Sequence, residues 1–308
     1  MANDRQRTSD SNGRLWGARA RDWAEIQEGQ FRSAYEAVFD WYGLKTGAAY
    51  CDVGCGSGMA AQLAAARGAA VSGIDAAENL LAIARNRVPD GDLRQGDLEQ
   101  LPFADGAFDL VTGFNSFQYA ADPVAALREA RRVAKPTGRI VVMTWGTPEG
   151  MEAAALVTAL KPLLPPPPPG APGPFALSDP AALRDFATQA GLVPLEIHDV
   201  PCVWRYASLD RALRGLGSSG VAVRAAELAG QTAVDRANAT ALKPYRKSDG
   251  SYELRAAFRW LAASPSNRCR RRCSARWGRS HAFRRPFARR RGCSRSADGP
   301  ACRHGASR

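Results

Sequence analysis

The sequence predicts an α/β protein whose parallel sheet is covered by helices on both faces, and three observations carry that prediction. From residue 50 to residue 145 strand-like and helix-like stretches alternate strictly, which is the pattern of parallel strands joined by helical crossovers. The run Tyr50-Cys51-Asp52-Val53-Gly54-Cys55-Gly56-Ser57-Gly58 takes a short strand into a glycine-rich turn, and the Ala-rich stretch Met59 to Arg67 reads as the helix it opens. Glycines at alternate positions tolerate positive φ and let the backbone approach a ligand with no Cβ in the way, and the helix dipole and amides would face that ligand. Seventeen residues after Gly58, Ala69 to Asp75 reads as a second buried strand that ends in a carboxylate.

The elements follow in order. Residues 1–13 are polar and expected to be flexible, and Leu15 to Tyr42 carries Trp16, Trp23, Phe31, Tyr35, Val38, Phe39 and Trp41 at mostly helical spacings. One or two amphipathic helices are therefore expected before the first strand. After the second strand, Ala76 to Arg87 predicts a helix, and Asp75 stands either as its N-cap or as an acceptor for two ribose hydroxyls. A third strand from Leu93 should end at Asp97, either a turn aspartate or an acceptor for an adenine amino group. Phe108 to Asn115 supplies the fourth strand, with Asn115 at its C-terminal end. Asp122-Pro123 caps a helix that runs to Val133, Lys135 to Gly138 ends it, and Arg139 to Trp145 is an apolar fifth strand. Met151 to Leu164 reads as a helix, and the prolines from Pro165 to Pro169 impose an extended connection. Ser178-Asp179-Pro180 starts a helix to Ala190, and Leu192 to Tyr206 reads as the sixth strand. Residues 207–248 form a mostly helical insertion before a last strand that alternates as Tyr252, Leu254, Ala256, Phe258 and Trp260.

Charge is distributed very unevenly. The formal net charge is +12, yet residues 265–308 alone hold 14 Arg, no Lys and one acid, Asp298, so the remainder is close to neutral. That tail, placed at 264–308, lacks Leu, Ile, Val and Met, holds four of the seven cysteines, and should be disordered. Three readings of it stand: an RNA-binding arm; a metal site, although Cys269-x3-Cys273 fits no usual zinc spacing; and, favoured by composition, a frameshift near Ser264. No apolar stretch approaches the length of a membrane span and the start has no signal-peptide core, so a cytoplasmic, reduced protein is expected.

The glycines alone leave the cofactor open. A Gly-x-Gly-x-x-Gly reading from Gly54 and Gly56 fails at Met59, and one from Gly56 survives only with Ala61 in the third place. Taken in order, Asp-Val-Gly-Cys-Gly-Ser-Gly at 52–58, Asp75, Gly96-Asp97-Leu98 with Leu101-Pro102-Phe103, and Phe108-Asp109-Leu110-Val111 resemble the class I S-adenosylmethionine-dependent methyltransferases. Within them the chain resembles the small-molecule, type 11 group that includes the ubiquinone and menaquinone methyltransferases. The resemblance implies a Rossmann-like seven-stranded sheet over residues 14–263, six strands parallel and the seventh antiparallel, with helices on both faces and a helical cap at 14–45. It implies S-adenosyl-L-methionine as cofactor. It also implies that Gly54, Cys55 and Gly56 cradle the methionine part through their backbone, Asp75 the ribose, Ala76 and Leu98 the adenine faces, Asp97 the adenine amino group, and Asn115 the amino-acid portion. Cys51 departs from the pattern, which usually has a larger aliphatic residue there.

The methyl acceptor is far less legible. No Asp/Asn-Pro-Pro-Tyr/Phe motif stands near Asn115, which argues against methylation of base amino groups. Cys202 reads as a buried thiol rather than a nucleophile, and His198, the only histidine before the tail, as a surface or core residue rather than a base. No catalytic residue and no metal site is singled out. The expected activity is transfer of a methyl group to oxygen or carbon of a small molecule. The alternatives are an RNA methyltransferase gripping through its basic tail and a non-catalytic NAD-type nucleotide binder.

Overall fold

The computed structural model describes residues 8–166 and 173–265. Most of the proline run and the Arg-rich tail beyond Pro265, for which disorder is expected, lie outside the described residues, as do residues 1–7. Seven strands form one sheet: β1 Ala49–Val53, β2 Ala70–Asp75, β3 Asp92–Gln95, β4 Phe108–Phe114, β5 Ala134–Trp145, β6 Val193–Tyr206 and β7 Tyr252–Ser264. Their order is β3-β2-β1-β4-β5-β7-β6. β7 runs antiparallel to both of its neighbours, whereas the pairs from β3 across to β5 are parallel. This is the class I methyltransferase arrangement, with the antiparallel last strand where the resemblance puts it.

Strand order reverses between β1 and β4, because the chain first winds outward to β2 and β3 and then returns to the other side of β1. Such a switch point leaves a crevice beyond the carboxyl ends of the strands, where no crossover helix can cover both neighbours. The glycine turn after β1, Asp75 at the end of β2 and Asn115 after β4 all open onto it.

The central strands are buried on both faces, which is why they read as apolar runs rather than as alternating stretches. Alternate residues of β5 divide between two cores: Val141 and Met143 pack with Tyr50, Leu110 and Phe258 on one side, Ile140 and Val142 with Val53, Val111 and Leu261 on the other. The first core is closed by α3 Arg32–Tyr42 and α4 Met59–Ala65, the second by α6 Pro123–Val133 and α8 Pro180–Gln189. Asp122 and Asp179 cap α6 and α8 through the amides of Ala125 and Ala182, each with proline in the first turn as the sequence predicts.

Several boundaries differ from the sequence reading. Residues 8–13, expected within a flexible start, form the first turns of α1 Thr8–Gly17; the short α2 Ala20–Asp22, a π-turn Trp23–Gln27 and a 3₁₀ turn Glu28–Phe31 then lead into α3. β5 begins at Ala134, directly after α6, because Pro136 and Gly138 are absorbed in a register shift opposite Phe108 and Leu110 instead of standing outside the sheet. The helix expected over 151–164 is cut to α7 Ala154–Ala159 and a 3₁₀ turn Lys161–Leu163, since Pro162 removes an amide and disfavours helical geometry before it. The sheet strand β3 ends at Gln95, short of Asp97. The insertion is three helices, α9 Leu209–Leu216, α10 Gly220–Ala229 and α11 Gln231–Leu242, the first two capped by Ser208 and Ser219. Among the described residues no helix is long and apolar enough to cross a membrane.

A buried cation ties β6 and β7 to the segment ahead of α8. Arg259 on β7 donates to both oxygens of Asp199 on β6, at 2.6 and 2.7 Å, and to the carbonyl of Ser178 ahead of α8. Replacing it leaves a carbonyl unpaired beneath the helix start. Arg259→Met is expected to lower stability by about 2 kcal/mol, read as a fall of several degrees in Tm by circular dichroism. An unchanged Tm would mean that the pair contributes no more than a surface ion pair does.

Candidate active site

The glycine turn folds as a left-handed ribbon: φ is +81° at Gly54, +54° at Gly56 and +84° at Gly58. A side chain at Gly54 would meet Ser116 Cβ at 2.4 Å, so the turn is pressed against the loop after β4. At Gly56 a Cβ would reach no atom closer than 3.8 Å and would instead fill the open crevice, which is the shape of a cradle for a ligand. The turn is held by its neighbours: the amides of Gly54 and Cys55 both donate to Ile74 O, at 2.8 and 3.0 Å. Asp75 then bridges the two motifs, its Oδ2 accepting from Gly56 N and its Oδ1 from Ala77 N, both at 2.8 Å. Burial pushes the Asp75 carboxyl up, while these amides pull it down.

Glu28 was missed by sequence reasoning. Its Oε1 accepts from Met59 N at 3.2 Å, so the first amide of α4, expected to face a ligand, is satisfied by the chain's own N-terminal segment. Its Oε2 pairs with Arg87 at the end of α5 Glu78–Arg87, and Arg87 also donates to Ser57 O at 2.9 Å and Ala24 O at 3.0 Å. Burial raises the Glu28 carboxyl despite that guanidinium. The signal was present in the spacing: Glu28, Phe31 and Tyr35 stand at helical intervals on one apolar face, where an unpaired acid would be very costly.

Asn115 is the one non-glycine residue at positive φ, +53°, among the described residues. Its amide N–H donates to Met143 O and its Oδ1 accepts from Gln118, but Nδ2 is buried with no partner. A non-glycine residue in the left-handed region with an unpaired buried donor is a strained, unfinished arrangement of the kind that a bound ligand completes. Asp97 closes an Asx turn onto Glu99 N at 2.9 Å beside Leu98.

One cavity of ≈ 660 Å³ brings together Gly54, Gly56, Asp75, Ala76, Asp97, Leu98 and Asn115. Cys55 is not on its wall; its side chain is buried in the core and its amide is spent on Ile74. Trp16 and Trp23, whose rings meet edge to face at 5.1 Å, line the same cavity from the N-terminal segment. Beyond Asn115 the cavity continues between Phe31, Trp145, Leu156, Leu160, Phe175 and Trp204, an apolar and largely aromatic space. Tyr35 and Tyr119 also reach it, and burial pushes both phenols up, Tyr119 to about 12, so they stay neutral near pH 7. His198 and Cys202 do not line it: His198 stacks on Trp260 with its Nε2 3.0 Å from Glu196, and Cys202 Sγ lies 3.1 Å from Ser33 Oγ.

Residues 51–142 match the family model described as methyltransferase domain (Methyltransf_11). The chain carries a methyltransferase domain. Among curated relatives, the demethylmenaquinone methyltransferase of Renibacterium salmoninarum is 36% identical over 123 residues, 40% of this chain and 52% of its own length. The ubiquinone biosynthesis O-methyltransferase of Pseudomonas paraeruginosa is 39% identical over 98 residues, 30% of this chain and 42% of its own length. The chain thus spans about half the length of the curated relatives it matches. A methyltransferase domain implies S-adenosyl-L-methionine as its cofactor. A solved Bacillus halodurans protein described as a methyltransferase shares the fold with TM-score 0.51 and 17% identity, covering 76% of this chain and 99% of that one. So does the 4+2 cyclase SpnF, with TM-score 0.50 and 23% identity over 76% of this chain and 80% of that one. At such identities the likeness speaks for the fold alone, and the reaction has to be argued from the site.

Beneath the glycine turn of this domain lies a buried polar chain. Tyr50 OH donates to Thr112 Oγ1 at 2.7 Å, and Thr112 donates to Asp52 Oδ1 at 2.8 Å. Asp52 is 1% exposed, and burial pushes its carboxyl up from the ordinary value to about 7. The folded state therefore holds a proton up to about pH 7 that the unfolded chain releases near pH 4, so stability falls as pH rises through that window. Asp52→Asn, which keeps an acceptor for Thr112, is expected to flatten that fall and to melt above the wild type by about 5 °C at pH 8. Parallel Tm-versus-pH curves for the two proteins would show that Asp52 is ionised in the fold throughout.

Proposed function

We propose that the protein is an S-adenosylmethionine-dependent methyltransferase that moves a methyl group to an oxygen or carbon nucleophile of a small molecule. The observation that carries this reading is that the glycine cradle, two carboxylates and the unfinished Asn115 share one cavity with an aromatic, apolar space. In this reading the backbone at Gly54 and Gly56 receives the amino-acid part of the cofactor, together with the free Nδ2 of Asn115. Asp75 keeps lone pairs beyond the two amides it accepts, and they take the ribose hydroxyls. Ala76 and Leu98 flank the adenine and Asp97 accepts from its amino group. Cys55 lies outside the cavity wall, whereas Gly54 and Gly56 line it.

S-adenosylmethionine, when bound, supplies an already activated sulfonium methyl. What remains for the chain is to hold an acceptor atom in line and to keep water out. Trp16, Trp23, Phe31, Trp145 and Trp204 together wall the cavity with aromatic surface. The lining carboxylates stand at the β2 and β3 end, and the phenols of Tyr35 and Tyr119 are held neutral. No lining group of the aromatic half takes a proton near pH 7, which suits a phenolic or enolic acceptor that gives up its own.

The test is calorimetric titration of the full chain with S-adenosylhomocysteine, with NAD as the competing ligand. S-adenosylhomocysteine is expected to bind and NAD not to. Asp97→Ala is expected to weaken binding at least about tenfold, and Asp75→Asn by more, since two hydrogen bonds are at stake rather than one. NAD binding in place of S-adenosylhomocysteine would overturn the cofactor assignment, and full affinity in Asp97→Ala would overturn the adenine contact.

A further inference from the structure

The aromatic half of the cavity contains polar groups that the fold itself does not use. α11 buries Val234, Asn238 and Leu242, one residue per turn along a single stripe, and Asn238 occupies the position where the pattern calls for an apolar side chain. Asn238 is 1% exposed, lines the cavity, and its Nδ2 has no hydrogen-bond partner. Trp204 on β6 is 2% exposed, lines the same cavity, and its Nε1 is likewise unpaired. Gln27 is a further buried amide on the wall, and its Oε1 accepts from Tyr206 OH at 2.9 Å. A buried donor without a partner lowers stability, and a leucine at 238 would complete the stripe without that penalty. The amide is therefore a feature that the folded chain alone does not account for.

We propose that Asn238 and Trp204 recognise the methyl acceptor, and that they select a neutral, planar aromatic molecule bearing oxygen. The proposal rests on the methyltransferase reading for the word acceptor, though not for the binding itself. Neutrality follows from the wall: apart from the exposed Lys161, the space around Leu156, Leu160, Trp145 and Trp204 carries no charge to balance an ionic ligand. Aromatic character follows from the rings of Phe31, Trp145 and Trp204, whose centroids lie 5.8 to 6.2 Å apart in a cluster that presents ring edges and faces. Oxygen follows from the two unpaired N–H donors, which an apolar hydrocarbon would leave buried and unsatisfied. A site of this kind discriminates strongly against the analogue that lacks the oxygen.

The probes are 2-naphthol, 2-methylnaphthalene and 2-naphthoate, titrated calorimetrically into the full chain with and without S-adenosylhomocysteine. The wild type is expected to bind 2-naphthol at least about tenfold more tightly than 2-methylnaphthalene, and 2-naphthoate more weakly than the naphthol. In Asn238→Leu the preference for naphthol over methylnaphthalene is expected to collapse while Tm rises, a combination that a merely structural asparagine would not produce. Trp204→Phe keeps the ring and removes the N–H, and it is expected to reduce the same preference without loss of fold. Equal binding of naphthol and methylnaphthalene by the wild type, no binding of naphthol, tightest binding of naphthoate, or an unchanged preference in Asn238→Leu would each overturn the proposal. Failure of S-adenosylhomocysteine to bind would instead count against the methyltransferase reading, because the naphthol preference is measured without it as well.

Discussion

The whole site depends on holding a left-handed glycine turn open between β1 and α4. Its first two amides donate to Ile74 O of β2, but those of Gly56 and Met59 must find acceptors elsewhere. Two carboxylates provide them from opposite sides. Asp75, at the end of the neighbouring strand, accepts from Gly56, and Glu28, from the segment before the sheet, accepts from Met59. Arg87 then pairs with Glu28 and reaches the Ser57 and Ala24 carbonyls, so one guanidinium joins α5, the turn and the N-terminal cap. Removing one member of such a buried pair would leave the other charge stranded, which is why these residues stand or fall together.

Around this turn the cavity is assembled from two sources. Its β1–β4 side comes from a contiguous run of chain, the glycine turn through Asn115, where the groups sit at or just beyond the ends of the parallel strands β1 to β4. Its aromatic side is gathered from the N-terminal segment, the end of β5, α7, β6 and the helical insertion. The extent of the family match, residues 51–142, follows that division. The part that resembles other methyltransferase domains builds the glycine cradle, and the part outside the match supplies Phe31, Trp204 and Asn238, the walls that give the pocket its own chemistry.

Much of the fold was legible because it is written in local terms. The alternation of strands and helices, the caps at Asp122 and Asp179, and the glycines at 54, 56 and 58 each follow from steric and hydrogen-bonding rules that act over a few residues. Where the reading slipped, a single local feature was outweighed by context. The turn-like Lys135-Pro136-Thr137-Gly138 was taken into β5 by a register shift, and Pro162 cut short a helix whose apolar spacing ran past it.

The sequence by itself determined the sheet and the glycine turn, and it placed Asp75 at the end of β2 and Asn115 just after β4, because a strand end is a place that can be counted along the chain. It could not determine that Glu28 takes the first amide of α4 or that Cys55 turns away from the cavity. Nor could it bring Trp204 and Asn238 to one cavity. Those facts depend on contacts between segments distant in the chain, and only the packed tertiary structure decides which buried polar group finds a partner and which is left without one.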